Sequence, residues 1–121
     1  MSIETIPLRD RLRAAVPAAM KARDRSTVAA LRSALAAIEN AEAVDIDDDA
    51  RARAGAIEAS LVGVGAAEIA RRELTEADVA AIVQHEIAER RAAAATYEAA
   101  GHVERAAGLV AEADALAAHL T

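Results

Sequence analysis

The stretch TEADVAAIVQHEIAERRAAAATYEAAGHVERAAGLVAEADALAAHL, Thr75 to Leu120, decides the fold. Thr75 is placed to accept a hydrogen bond from the amide near Asp78, and Leu74 and Val79 stand where a hydrophobic staple clamps a helix entry, so a helix is predicted to start near Glu76. Val79, Ile82, Val83, Ile87, Ala94 and Tyr97 then recur at three- and four-residue steps, which puts them on one stripe of that helix. Gly101 follows as the residue best suited to the left-handed conformation that ends a helix. Beyond it Ala106, Leu109, Val110, Ala113, Leu116, Ala117 and Leu120 keep the same spacing, so the two stripes are expected to face each other as an antiparallel helical hairpin.

The first half repeats this grammar. Leu8, Leu12, Val16 and Met20 form a short amphipathic stripe in which Pro17 lacks an amide donor and is expected to kink or split the helix near Val16. Ser26 or Thr27 is placed to cap a second helix, whose seam of Val28, Leu31, Leu35 and Ile38 is expected to end near Glu42. Asp47 to Asp49 suit the positive end of a third helix carrying Ile57 and Leu61, broken at Gly63-Val64-Gly65. Residues 65–72 read as a short helix or a packed loop. No period-two alternation of strand length occurs. The prediction is an all-α bundle of about four to five helices in one domain, residues 1–121, ending in the long hairpin.

Composition bounds what such a bundle does. The chain has 121 residues, 55% of them hydrophobic, but much of that is alanine, so the core is built from close helix approach more than from bulky side chains. It has no cysteine, hence no disulfide and no thiolate metal site, and no apolar run reaches the roughly 18 residues that cross a bilayer. The N-terminus, interrupted by Glu4 and Arg9, does not resemble a secretory signal, and a cytoplasmic location with no membrane partner is expected.

Charge is distributed unevenly. Residues 1–32 carry seven bases (Arg9, Arg11, Arg13, Lys21, Arg23, Arg25, Arg32) against three acids (Glu4, Asp10, Asp24), whereas the whole chain has a formal charge of -6. The overall charge opposes sequence-independent binding to nucleic acid, and no DNA partner is expected, so any contact with RNA must be local. The basic third reads either as a solvated helix face neutralised by Asp10 and Asp24 or as a phosphate-contacting surface. With Tyr97 as the one aromatic residue, a platform for stacking unpaired bases is missing, which leaves shape or backbone contact to structured RNA.

Reactive groups are scattered. His85, Glu86 and Glu89 share a helix face but lack the second histidine of a helical zinc site. His102 and His119 stand near helix ends, where capping or dipole roles are usual. Gly63-Val64-Gly65 has neither the strand nor the lysine of a phosphate-cradling loop, and Ser26, Ser33 and Ser60 have no histidine–acid partners. No catalytic residue, metal ligand or cofactor is assigned.

Two blocks, LRAAVPAAMKARDRSTVAALRSALAAIENAEA from Leu12 and ELTEADVAAIVQHEIAERRAAAATYEAAGHVERAAGLVAEADALAAHL from Glu73, together resemble the GatB/YqeY family over about two-thirds of the chain. The resemblance rests most on Ala19 to Asp24, Leu31-Arg32, Ala37 to Glu42, Leu74-Thr75, Glu86-Ile87, Arg90-Arg91, Tyr97 to Gly101, Glu112, Leu116 and Leu120. His102 stands where the family pattern usually has arginine, His119 and Thr121 replace its closing tyrosine and proline, and the segment from Val44 to Arg72 is longer than the usual connection. The family's small C-terminal helical domain is not expected here.

The resemblance implies an all-helical module, found free-standing and as the tail of the GatB subunit of glutamine-dependent aminoacyl-tRNA amidotransferase, where it helps hold tRNA. The parent label is carbon–nitrogen ligase with glutamine as amido donor. This chain shows no ATP-binding loop, zinc-type cysteine set or amidase serine–lysine arrangement, so a non-catalytic accessory role is expected. The expected RNA contacts are Arg13, Lys21, Arg23, Arg25, Arg32, Arg90 and Arg91, the last two from the family pattern. A protein-interaction scaffold without an RNA role is the alternative, and amidotransferase activity of the isolated chain is a third reading with a weaker basis.

Overall fold

Four helices make up the architecture among the described residues. The computed structural model describes residues 5–56 and 73–120, and over 44–56 it describes the helical backbone only. The helices are α1 (Leu8–Lys21), α2 (Arg25–Ala56), α3 (Glu76–Ala99) and α4 (Val103–Ala117), with no strand among the described residues. The predicted interruption at Gly63 and the inward-facing Ile57 and Leu61 lie outside them.

The hairpin forms as its sequence dictates. Thr75 Oγ1 accepts from the Asp78 amide at 3.0 Å, and the Asp78 carboxylate accepts from the Thr75 amide at 2.9 Å, a reciprocal cap that satisfies two otherwise unpaired donors. At the other end of α3, Gly101 has φ +87°, and the amides of Gly101 and His102 close back onto the carbonyls of Glu98 and Tyr97. α4 then runs back along α3, the most extensive helix contact in the molecule, and also lies on α2.

The main part of the core is one seam. Leu8 and Leu12 of α1, Leu31, Ala34 and Ile38 of α2, Val79 and Val83 of α3 and Leu116 of α4 are buried together. Each large aliphatic side chain among them contributes about 1.5–3 kcal/mol by leaving water. A smaller cluster, Ala94, Ala106 and Leu109 with Ala93 against it, occupies the distal part of the hairpin and, among the described residues, draws on α3 and α4 only. The α1 entry has no capping side chain of its own, and Glu76 of α3 supplies the acceptor, its carboxylate 2.6 Å from the Leu8 amide.

Several expectations are corrected. α1 is not split at Pro17 but continues through it to Lys21, with Val16 and Ala19 on either side packed into the core, so packing outweighs the lost helical bond. α2 does not stop near Glu42 but continues through Asp47 to Asp49 to Ala56, because no proline or glycine interrupts the sequence between Pro17 and Gly55. Its cap is Asp24, not Ser26 or Thr27: the Asp24 carboxylate accepts from the Thr27 amide at 3.1 Å and from the Thr27 hydroxyl at 2.7 Å. Three residues assigned to inward stripes stand outside, with Met20 51%, Val110 41% and Tyr97 37% exposed.

Candidate nucleic-acid interface

The basic third of the sequence folds into a sharp corner. α1 ends at Lys21, and within three residues the chain reverses into α2 at Arg25. The reversal uses the same closure as the hairpin tip: the Arg23 amide donates to the Met20 carbonyl and the Asp24 amide to the Ala19 carbonyl, both at 3.0 Å. Here the left-handed position is filled by Arg23, φ +59°, and not by glycine. A side chain in that conformation costs about 1–2 kcal/mol. The cost is accepted at the spot where the chain presents Lys21, Arg23 and Arg25, all exposed, within five residues.

Beside this corner lies a groove of about 420 Å³ lined by Met20, Arg23, Arg25, Val28, Ala29 and Arg32. Its floor is apolar and three guanidinium groups stand around it. Arg32 Nη2 rests 3.6 Å from the Met20 sulfur, the one close polar contact that the groove makes internally. Among the described residues no carboxylate forms an ion pair with Lys21, Arg23, Arg25 or Arg32. The nearest acid in sequence, Asp24, is committed to capping; its bonds from the Thr27 hydroxyl and then the Thr27 amide hold its carboxyl below the usual carboxylate range. The corner therefore keeps its positive excess.

The other predicted contacts separate from it. Arg13 is on the exposed face of α1, loosely paired with Asp10 at 3.9 Å. Arg90 is not a surface contact. It is 13% exposed, its Nε donates to Glu112 Oε1 at 2.9 Å, and its Nη1 donates to Glu86 Oε1 at 2.9 Å and to the Glu86 carbonyl at 3.1 Å. Ser33 Oγ of α2 donates to the same Glu86 oxygen at 3.0 Å. Burial is the largest single influence on this guanidinium and disfavours its charge, but the bonds from Glu86 and Glu112 and their charges together outweigh it and raise its pKa. Arg90 thus links α3 to α4, Ser33 of α2 joins the cluster through Glu86, and the guanidinium is engaged inside the bundle. Arg91, one residue on, also reaches α4 and lies 3.2 Å from Asp114, half-exposed.

Sequence reading missed two parts of this picture. The spacing of Met20 predicts a core position, yet it lines the groove, because α1 ends one residue later and the stripe loses its cover. Arg9 was counted only as a surface base, yet it reaches the buried carboxylate of Glu42 at 2.9 Å and clasps α1 to α2. Elsewhere, His85 and Glu89 form an exposed pair at 3.4 Å, and no group of three or more potential ligands gathers among the described residues. His102 makes no side-chain cap to α4; its ring meets Tyr97 edge-on at 5.9 Å, while Arg105 covers the Tyr97 ring at 5.6 Å. No described helix is long and apolar enough to cross a membrane.

No protein-family model, curated protein or solved structure matches this chain.

Proposed function

We propose that this chain is a non-catalytic helical accessory module of GatB/YqeY type that holds structured RNA, tRNA being the expected partner, through the α1–α2 corner. The observation that carries the reading is the strained, solvent-facing Arg23 set between Lys21 and Arg25, beside a groove rimmed by Arg25 and Arg32, which form no ion pair among the described residues. Unpaired guanidinium groups on a rigid turn suit phosphate oxygens, which accept their paired N–H donors. A local site of this kind also reconciles contact with a polyanion and a net charge of -6. The link to glutamine-dependent amidotransferases rests on the sequence resemblance, as does the choice of tRNA over other folded RNA.

The test is a gel-shift titration of the purified chain with total tRNA, beside a variant carrying Lys21→Ala, Arg23→Ala and Arg25→Ala. The expected result is salt-sensitive binding that weakens at least tenfold in the variant; equal affinity of the two proteins would overturn the reading. A protein-interaction scaffold is the second reading, favoured by Val103 and Val110, 63% and 41% exposed on the hairpin. It predicts a partner retained through salt washes that strip RNA.

A further inference from the structure

We infer that the outer face of the α3–α4 hairpin pairs with the same face of a second copy of this chain, forming a two-fold symmetric dimer. The proposal stands apart from the RNA reading: the face shares no lining residue with the basic groove.

Among the described residues, the distal hairpin has only a small apolar cluster of its own. This cluster consists, among the described residues, of Ala93, Ala94, Ala106 and Leu109, whereas Leu8, Leu12, Leu31 and Ile38 of α1 and α2 pack into the main seam. On its outer side runs a groove of about 330 Å³, with Val103, Val110 and Ala107 from α4 on one wall and Ala95 from α3 on the other. Two antiparallel helices with an uncovered apolar groove are half of a four-helix bundle, and the missing half has the same shape. Small side chains such as Ala95 and Ala107 let a second pair of helices approach to about 8 Å between axes.

Charge selects the occupant. Arg91 and Glu98 border this groove on the same helix, seven residues or about 10 Å apart. A two-fold axis that runs between the two copies of α3, level with Ala94 and Ala95, brings Arg91 of each copy opposite Glu98 of the other, so both ends of the helix pair close with opposite charges. Glu98 forms no ion pair among the described residues, and the Arg91 contact with Asp114 is exposed and weak enough to be shared. An unrelated partner has no reason to carry this reversed pair at the same spacing; a second copy carries it by necessity.

The experiment is sedimentation equilibrium on wild type, Arg91→Glu, Glu98→Arg and a one-to-one mixture of the two variants. Wild type is expected to dimerise. Each single variant places like charges at both ends of the face and is expected to raise the dimer Kd roughly tenfold or more. In the mixture both pairs are opposite in sign again, so a heterodimer is expected with affinity close to wild type. Val110→Asp, which alters a side chain already in solvent, is expected to abolish the dimer while circular dichroism shows the helices unchanged. A wild type that remains monomeric at millimolar concentration overturns the proposal. So does a dimer indifferent to these substitutions, or a mixture that fails to associate.

Discussion

Arg23 and Gly101 fill the same position in two copies of one helix-ending motif, and their difference carries information. Gly101 takes its positive φ at no steric cost, whereas Arg23 takes it against a penalty that any glycine would remove. Replacing Arg23 with glycine is therefore expected to stabilise the chain by roughly 1 kcal/mol, less whatever the freer unfolded chain recovers, and to raise the melting temperature by a few degrees. The same change is expected to weaken tRNA binding, because it deletes the outermost guanidinium of the corner. Thermal melts and gel shifts on Arg23→Gly check the two effects together. A variant that is more stable yet binds as well as wild type would mean that the strain serves some other purpose than RNA contact.

Among the elements, the hairpin was legible from sequence, and of α2 the start and the apolar seam were, but not the end. Thr75, Asp78 and Gly101 are local signals, each acting within a few residues of itself, so periodicity between them identified both helices and the turn. The aspartates at 47–49 misled for the opposite reason: acidic residues suit a helix start, but nothing upstream ends the helix already running, and α2 absorbs them. Tertiary contact explains the remaining errors. Arg90 and Arg91 are adjacent and identical in sequence, and only the packing of α4 on α3 sends one into a largely buried cluster and leaves the other in a half-exposed pair with Asp114. Arg90→Met is expected to leave Glu86 and Glu112 facing each other without their shared cation, costing about 2–3 kcal/mol, while tRNA affinity stays unchanged. Arg90→Lys is expected to fall between, since an ammonium cannot fork to both carboxylates in the guanidinium's geometry. Chemical denaturation of the two variants beside wild type gives the ranking; an undiminished stability of Arg90→Met would show that the cluster holds nothing together.

At the scale of the whole molecule the acidic charge and the basic corner act against each other, and salt separates them. A surface evenly attractive to RNA would release many counterions on binding and show a steep fall of affinity with ionic strength, about one unit of log–log slope for each phosphate neutralised. Here Lys21, Arg23, Arg25 and Arg32 form one compact cationic site on a chain whose net charge repels the rest of the polyanion. Four contacts at most give a slope of roughly -3 to -4, reduced to about -1 in the Lys21→Ala, Arg23→Ala, Arg25→Ala protein. At the same time the long-range repulsion is screened over about 10 Å at 0.1 M salt, so the low-salt end of the plot is expected to flatten as that repulsion grows. Fluorescence titrations of labelled tRNA across a series of sodium chloride concentrations measure both features. A slope near -10 would assign binding to a far broader surface than the α1–α2 corner, and a slope near zero would assign it to contacts other than phosphate.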